Sequence, residues 1–235
     1  MFWWRSEVRP GVSVAFTDVG AGNLALHVGD DPEKVEERRL RLEAAANPGG
    51  ARFQYMNQVH GNHVAEISGF GPGPTADAMV TVAGATAAQA LAVMVADCVP
   101  VVFVGESDHL EPILAVAHAG RPGVASGVVP ATIEHMRRSG ARTIEAWLGP
   151  SICGKCYEVP EELRADVART VPASWSQTSW GTPALDLPAA VGAQLSELGV
   201  AVKYSGACTL ENDALFSYRR DSRTGRFAGL VWTHD

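Results

Sequence analysis

Cysteine is scarce and basic residues are outnumbered, and both shortages narrow what this chain can be. Four cysteines occur in 235 residues, Cys98, Cys153, Cys156 and Cys208, which is no disulfide framework. Each is expected to be a thiol, serving as buried filler, metal ligand or nucleophile. Lysine and arginine total 19 against 26 acidic residues, a formal charge of −7, which argues against nucleic-acid binding and for a small-molecule substrate. An unbroken apolar span is lacking too. The most apolar stretch, Ala83–Val104, is interrupted by Thr86, Gln89, Asp97 and Pro100 and does not suit a transmembrane helix. Met1-Phe2-Trp3-Trp4-Arg5-Ser6-Glu7 has no signal-peptide pattern, so a cytoplasmic protein without a membrane partner is expected. Gly20-Ala21-Gly22 and Gly71-Pro72-Gly73 lack both the dinucleotide fingerprint and the Lys-Ser/Thr of a phosphate loop.

What is present is a globular composition, 46% hydrophobic and 19% charged, with no repeat or linker, so residues 1–235 are read as one domain. Strands are expected at Gly11–Thr17, Arg52–Asn57, His63–Ile67, Asp77–Thr81, Ala90–Ala96, Val99–Val104, Pro112–Ala117, Thr143–Leu148 and Val200–Tyr204. A helix starts at Asp30-Asp31-Pro32-Glu33 and runs to Ala46, before Asn47-Pro48-Gly49-Gly50. Pro160–Thr170 and Leu187–Leu198 are further helices, and Gly123–Ser139 is a helical pattern with a kink or late start at Pro130. This irregular alternation predicts a mixed-sheet α/β fold rather than a doubly wound one.

Three segments place a metal-ligand side chain where an apolar strand gives way to a polar or glycine-rich turn: Asn57-Gln58-Val59-His60-Gly61, Ala96-Asp97-Cys98-Val99-Pro100 and Ala117-His118-Ala119-Gly120. Two imidazoles and a thiolate suit Zn²⁺ and leave a fourth tetrahedral position open, a catalytic pattern. The same residues also read as a buried thiol with two hydrogen-bonded histidines. Asp77 and Asp97 are candidates to orient a metal-bound histidine or act as base. Cys153-Gly154-Lys155-Cys156 is a single CxxC; a zinc site there would need a second pair, for which only Cys208 with a distant histidine remains once Cys98 is assigned to the trio, so these cysteines read as structural thiols. Neither His-x-Glu nor Pro-Cys-x-x-Cys of the zinc nucleobase deaminases occurs. Arg219, Arg220, Arg223 and Arg226 form the densest basic run, suited to a solvated hairpin paired with Asp221 and Glu211 or to phosphate. Arg121, three residues after His118, is a stronger phosphate candidate.

Together these motifs resemble the laccase-domain family, also called polyphenol oxidase or purine nucleoside phosphorylase-like proteins. The resemblance is carried by Gln58-Val59-His60-Gly61, Asp77-Ala78-Met79-Val80-Thr81, Ala96-Asp97-Cys98-Val99-Pro100-Val101 and Ala117-His118-Ala119-Gly120. It continues through Leu148-Gly149-Pro150-Ser151-Ile152, Cys156-Tyr157-Glu158-Val159, Cys208-Thr209, Phe216-Ser217-Tyr218-Arg219-Arg220 and Thr224-Gly225-Arg226. The resemblance implies an αββα sandwich of mixed sheets, a zinc site at His60, Cys98 and His118, and purine-nucleoside chemistry. That chemistry is phosphorolysis of adenosine, inosine, guanosine or methylthioadenosine, or deamination of adenosine. Asn23, Asp77 and Arg121 are the matching candidates for contacting nucleoside, phosphate or water, in a monomer or homodimer.

The chain departs from the family at Thr17-Asp18-Val19-Gly20, where an arginine usually follows the threonine, and at Arg121-Pro122, where Trp-Arg is usual. Three other readings stand beside the zinc enzyme. The first is a cysteine hydrolase linked to peptidoglycan editing, with Cys98 as nucleophile and His60 or His118 as base. The second is a copper polyphenol oxidase, disfavoured because the seven histidines include no His-x-His or His-Cys-His. The third is a non-catalytic scaffold.

Overall fold

The computed structural model describes residues 1–82, 89–108 and 111–234. In chain order the first elements are β1 (Phe2–Arg9), β2 (Val12–Thr17), α1 (Pro32–Ala46), β3 (Val64–Glu66), β4 (Ala78–Val82), β5 (Ala90–Val95), β6 (Val99–Glu106) and β7 (Pro112–Ala119). Then come α2 (Arg121–Ser126), α3 (Val128–Arg138), β8 (Thr143–Leu148), α4 (Glu161–Thr170), β9 (Trp175–Gln177), β10 (Pro183–Leu185), α5 (Leu187–Glu197), β11 (Ala201–Ser205) and β12 (Phe227–Thr233).

Side chains alternate in direction along the central strands, which are buried almost throughout, and that alternation builds the layers. Val102 and Val104 of β6 and Leu114 and Val116 of β7 face Val14, Phe16, Leu91, Val93 and Val231 of the other sheet. Their sequence neighbours Val101, Phe103 and Ala115 turn the opposite way, onto Val128, Ile133, Met136 and Leu195 of α3 and α5. The far side of the second sheet packs Ala92, Leu230 and Trp232 against Phe53 and against Leu42 and Ala46 of α1. The result is the expected αββα sandwich: a mixed six-stranded sheet in the order β11-β8-β6-β7-β4-β3 stacked on an antiparallel four-stranded sheet, β1-β2-β12-β5. Each fully buried Val, Leu or Phe contributes roughly 1.5–3 kcal/mol. Strands β6 and β7, covered on both faces, are therefore a firm platform for residues at their ends.

Several local expectations change. Arg52–Asn57 is not a strand but an extended segment bridged singly at Gln54–Leu91 and Asn57–Thr75. The Gln58 side chain takes over where backbone pairing stops, donating from Nε2 to the Met94 carbonyl at 2.7 Å and accepting the Met94 N–H at 2.9 Å. The break in the 123–139 helical pattern falls at Gly127, whose φ is +84°, and not at Pro130. Pro130 occupies the first turn of α3, where a missing N–H costs nothing. The basic run is a series of turns instead of a hairpin. Strands β1, β9, β10 and β12 are additions to the expected set. Residues 83–88 of the apolar stretch Ala83–Val104 lie outside the described residues, and no helix among the described residues is long and apolar enough to cross a membrane.

Candidate active site and metal centre

Cys98 stands where the chain leaves one sheet for the other. Strand β5 ends at Val95 in the four-stranded sheet and β6 begins at Val99 in the six-stranded one, leaving three residues to make the crossing. Asp97 makes it with a left-handed backbone, φ +87°, a conformation that needs outside support in a residue with a Cβ. Its carboxylate supplies that support, accepting from Thr209 Oγ1 at 2.6 Å and from the Arg219 N–H at 2.7 Å.

His118 lies next to the end of β7, paired with Pro100 of β6, so β-pairing alone brings it beside Cys98. Behind it is Asp77, fully buried at 0% exposure. The Asp77 carboxylate accepts from His118 Nδ1 at 2.9 Å and from the backbone N–H groups of His60 at 2.8 Å and Gly61 at 2.6 Å. An ionised carboxylate only accepts, so Nδ1 carries a proton and Nε2 is turned toward the site, where a metal ion would take the place of a second proton. The same carboxylate holds the turn in which His60 is left-handed at φ +62°, turning the exposed His60 ring to within 4.6 Å of the His118 ring, centroid to centroid. One buried aspartate thus places two of the three candidate ligands.

Ligand atoms of His60, Cys98 and His118 all lie within 4.8 Å of one another. A Cβ built on Gly120 would stand 3.1 Å from Cys98 Sγ and 3.2 Å from His60 Cδ2, so the missing side chain keeps this space clear. Soft and borderline donors, an oriented imidazole and a bare glycine floor fit a tetrahedral divalent ion such as Zn²⁺. The charges of the trio itself favour a thiolate at Cys98 paired with an imidazolium at His118. Burial opposes ionisation of Cys98, yet the His118 charge and hydrogen bonds from both histidines outweigh it and bring the thiol down to about 6. Burial likewise works against the His118 imidazolium, but the Cys98 thiolate and Asp77 raise it to about 9. The Asp77 carboxyl is also burdened by burial and is nonetheless held below its ordinary value by the His118 and Gly61 hydrogen bonds.

The trio opens onto a cavity of about 430 Å³ that is also lined by His27, Tyr157, Tyr218, Arg219 and Arg226. Both arginines are braced. Arg219 donates to the Glu158 carbonyl at 2.7 Å and lies over the Tyr157 ring at 4.6 Å; Arg226 donates to the Thr224 carbonyl at 2.8 Å. His27 is pushed toward its neutral form by burial and by the Arg226 charge.

Of the residues singled out in the sequence, His60, Cys98 and His118 come together. Asp77 sits behind His118 rather than on the cavity wall. Asn23 is buried, bonded to Ala25 and Asp30 and accepting the Arg226 N–H at 2.9 Å; it aligns Arg226 from behind. Arg121 opens α2 outside the cavity lining, near Tyr157. Arg220 turns away too, donating to the carbonyls of Thr209, Leu210 and Asn212. Sequence reading missed His27, which no motif marks, and gave no role to Tyr157, which the Cys156-Tyr157-Glu158-Val159 motif did flag.

An αββα sandwich with two imidazoles and a thiol at one end of its cavity defines a distinct class of protein. The chain belongs to the family described as multi-copper polyphenol oxidoreductase laccase, whose model matches residues 5–234. It is 48% identical over 229 residues to purine nucleoside phosphorylase ORF3 of Streptomyces griseus, covering 94% of this chain and 90% of that one. Over 215 residues it is 37% identical to purine nucleoside phosphorylase YfiH of Escherichia coli K12, covering 89% and 85%. The crystal structure of Neisseria meningitidis protein NMB0706 superposes with a TM-score of 0.82 at 32% identity, covering 100% of this chain and 99% of that one.

Proposed function

We propose that this chain is a zinc-dependent purine nucleoside phosphorylase, with His60, Cys98 and His118 holding the metal. The observation that carries this reading is that the ligand trio and two braced guanidinium groups, Arg219 and Arg226, line one cavity. Its volume of about 430 Å³ falls in the usual range for small-ligand sites. The names of the relatives point to the same reaction.

Arg219 and Arg226 hold phosphate by charge-assisted hydrogen bonds, and the Tyr157 and Tyr218 rings offer faces for the purine. A phosphate oxygen attacks the anomeric carbon as the C–N glycosidic bond breaks. The base leaves with the bonding pair and takes up a proton, giving free purine and ribose 1-phosphate. His27, kept neutral on the cavity wall, is the group assigned to take a proton from the attacking phosphate at one ring nitrogen and give one to the leaving base from the other. When bound, zinc supplies Lewis-acid polarisation and orientation of a substrate oxygen. Adenosine deamination is assigned to the same cavity, with water adding at C6 of the purine and the 6-amino group leaving as ammonia to give inosine. Copper oxidase chemistry is disfavoured by the donor set. Among the described residues only one cluster of three or more potential ligands contains histidine, whereas a multicopper oxidase needs many more imidazoles.

Adenosine, inosine, guanosine and methylthioadenosine incubated with zinc-loaded protein, with and without phosphate, test the reading. Phosphate-dependent release of free base supports it; intact nucleosides from fully metallated protein overturn it.

One observation favours a second reading. Cys98, His118 and Asp77 form a hydrogen-bonded thiol–imidazole–carboxylate row, the arrangement of a cysteine hydrolase. Turnover of an amide or ester substrate by metal-free protein, abolished by zinc, would select it.

A further inference from the structure

The fold brings the CxxC pair together with Cys208, the one remaining candidate in the sequence, and with Glu211, which no spacing marks. Cys153, Cys156, Cys208 and Glu211 bring three sulfurs and a carboxylate oxygen within 4.8 Å of one another. A tetrahedral ion with metal–sulfur bonds of about 2.3 Å requires sulfur–sulfur edges of about 3.8 Å, so small side-chain adjustments close the shell. None of the four residues lines the 430 Å³ cavity; this is a separate cluster.

Each half is built for the meeting. On one side the Cys153 carbonyl accepts the N–H groups of Cys156 and Tyr157, both at 3.0 Å, a tight turn that presents both thiols. Gly154 seats that turn against the start of α5: a Cβ there would lie 2.6 Å from Asp186 Cβ and 2.7 Å from Ser176 Oγ. On the other side Ser151 pairs with Cys208 as an isolated parallel bridge, with Ser151 N–H to the Ala207 carbonyl and Thr209 N–H to the Ser151 carbonyl, both 3.1 Å. Cys208 Sγ accepts the Cys153 N–H at 3.4 Å, a contact that suits a thiolate. Arg220 gathers the carbonyls of Thr209, Leu210 and Asn212 at 2.8–3.3 Å, fixing the turn between Cys208 and Glu211.

We propose that Cys153, Cys156, Cys208 and Glu211 bind a second Zn²⁺ in a closed, structural site. Four protein ligands leave no open position, and three thiolates with a carboxylate suit zinc among the common divalent ions. The site ties down the segments behind the cavity. Ile152 and Tyr157, flanking the CxxC, line the cavity; the Ile152 N–H donates to the Asp97 carbonyl at 2.9 Å, and Thr209, next to Cys208, holds the Asp97 carboxylate. A metal at this cluster therefore braces the left-handed residue that positions Cys98.

The test uses Cys98→Ala, which removes the central thiolate of the first site. The full-length variant, purified with zinc and reductant and freed of excess metal, is expected to retain about one zinc per chain. Cobalt in its place should give the strong thiolate-to-metal absorption of a three-sulfur site. Adding Cys156→Ser should remove that metal and that band. Glu211→Ala, on an exposed segment, keeps the fold and should lose zinc to a chelator more readily by at least the roughly 10- to 100-fold typical of losing an outer hydrogen-bonding partner. The proposal is overturned if zinc-exposed Cys98→Ala carries no metal and titrates three free thiols, or if mass spectrometry finds two of the three cysteines joined in a disulfide. It does not depend on the reaction assigned to the cavity.

Discussion

The donor clusters around Cys98 and around Cys156 differ in how the backbone delivers them. At Cys98 the ligands come from the β5–β6 crossing, the end of β7 and one left-handed turn, held by the buried Asp77 and Asp97 carboxylates. Three donors face a cavity. At Cys156 the donors come from a tight turn and a bridged loop, four in number and away from that cavity. The thiols differ accordingly: imidazoles pull Cys98 down to about 6, whereas burial and neighbouring thiols push Cys153 and Cys156 up. Strand-end placement with an open side suits chemistry; turn placement with a closed shell suits bracing.

The largest expected effect separates the two clusters. Cys98→Ala should lower phosphorolysis by on the order of 10³-fold or more, because Lewis-acid stabilisation is worth several kcal/mol and about 1.4 kcal/mol is tenfold. Its melting temperature should stay close to that of the parent. Cys156→Ser should do the reverse to stability, lowering the melting temperature while zinc still protects Cys98 from alkylation. Calorimetry and initial rates on the same preparations would break the contrast if both variants behaved alike.

Next in size are the supports of the open site. Asp77→Asn should weaken zinc binding roughly 10- to 100-fold, and Gly120→Ala should do comparable damage by pushing a methyl group to 3.1 Å from Cys98 Sγ. Chelator competition measures both. In metal-free protein the thiolate is the nucleophile and exists above the thiol pKa, so iodoacetamide labelling of Cys98 should rise with pH to a midpoint near 6. An ordinary thiol would show its midpoint about 2–3 units higher. Zinc should suppress the labelling at every pH.

Smaller effects distinguish the arginines. Arg226→Ala should raise KM for phosphate about tenfold, the value of one charged hydrogen bond, with kcat less affected. Arg121→Ala, outside the cavity lining, should change KM by no more than about twofold. The reverse order in steady-state kinetics would return the phosphate to Arg121.

Much of this was legible in the sequence, for reasons that differ by element. The doubly buried strands β6 and β7 read as continuous apolar runs, and Asp31-Pro32 with Asn47 marked α1 at both ends. His60, Cys98 and His118 stood out because each interrupts an apolar strand at a turn. Strand β12 was hidden behind a basic run that drew attention to charge, and β1 behind a mixture of tryptophan and charged residues with no clean period of two. The cavity arginines were visible as a cluster, but which ones turn inward depends on the Glu158 carbonyl, 61 residues from Arg219, and on the Thr209 and Leu210 carbonyls that draw Arg220 away. The contact of Cys208 with the CxxC likewise spans 55 residues and has no local signature.

The central claim is that phosphorolysis requires a metal on His60, Cys98 and His118. Metal-free protein titrated with zinc, with Cys98 alkylation and ribose 1-phosphate formation from inosine measured at each step, tests it most directly. Product formation rising in proportion to Cys98 protection, and reaching its plateau when Cys98 is fully protected, is the result predicted here. Full turnover while Cys98 remains open to alkylation would contradict it.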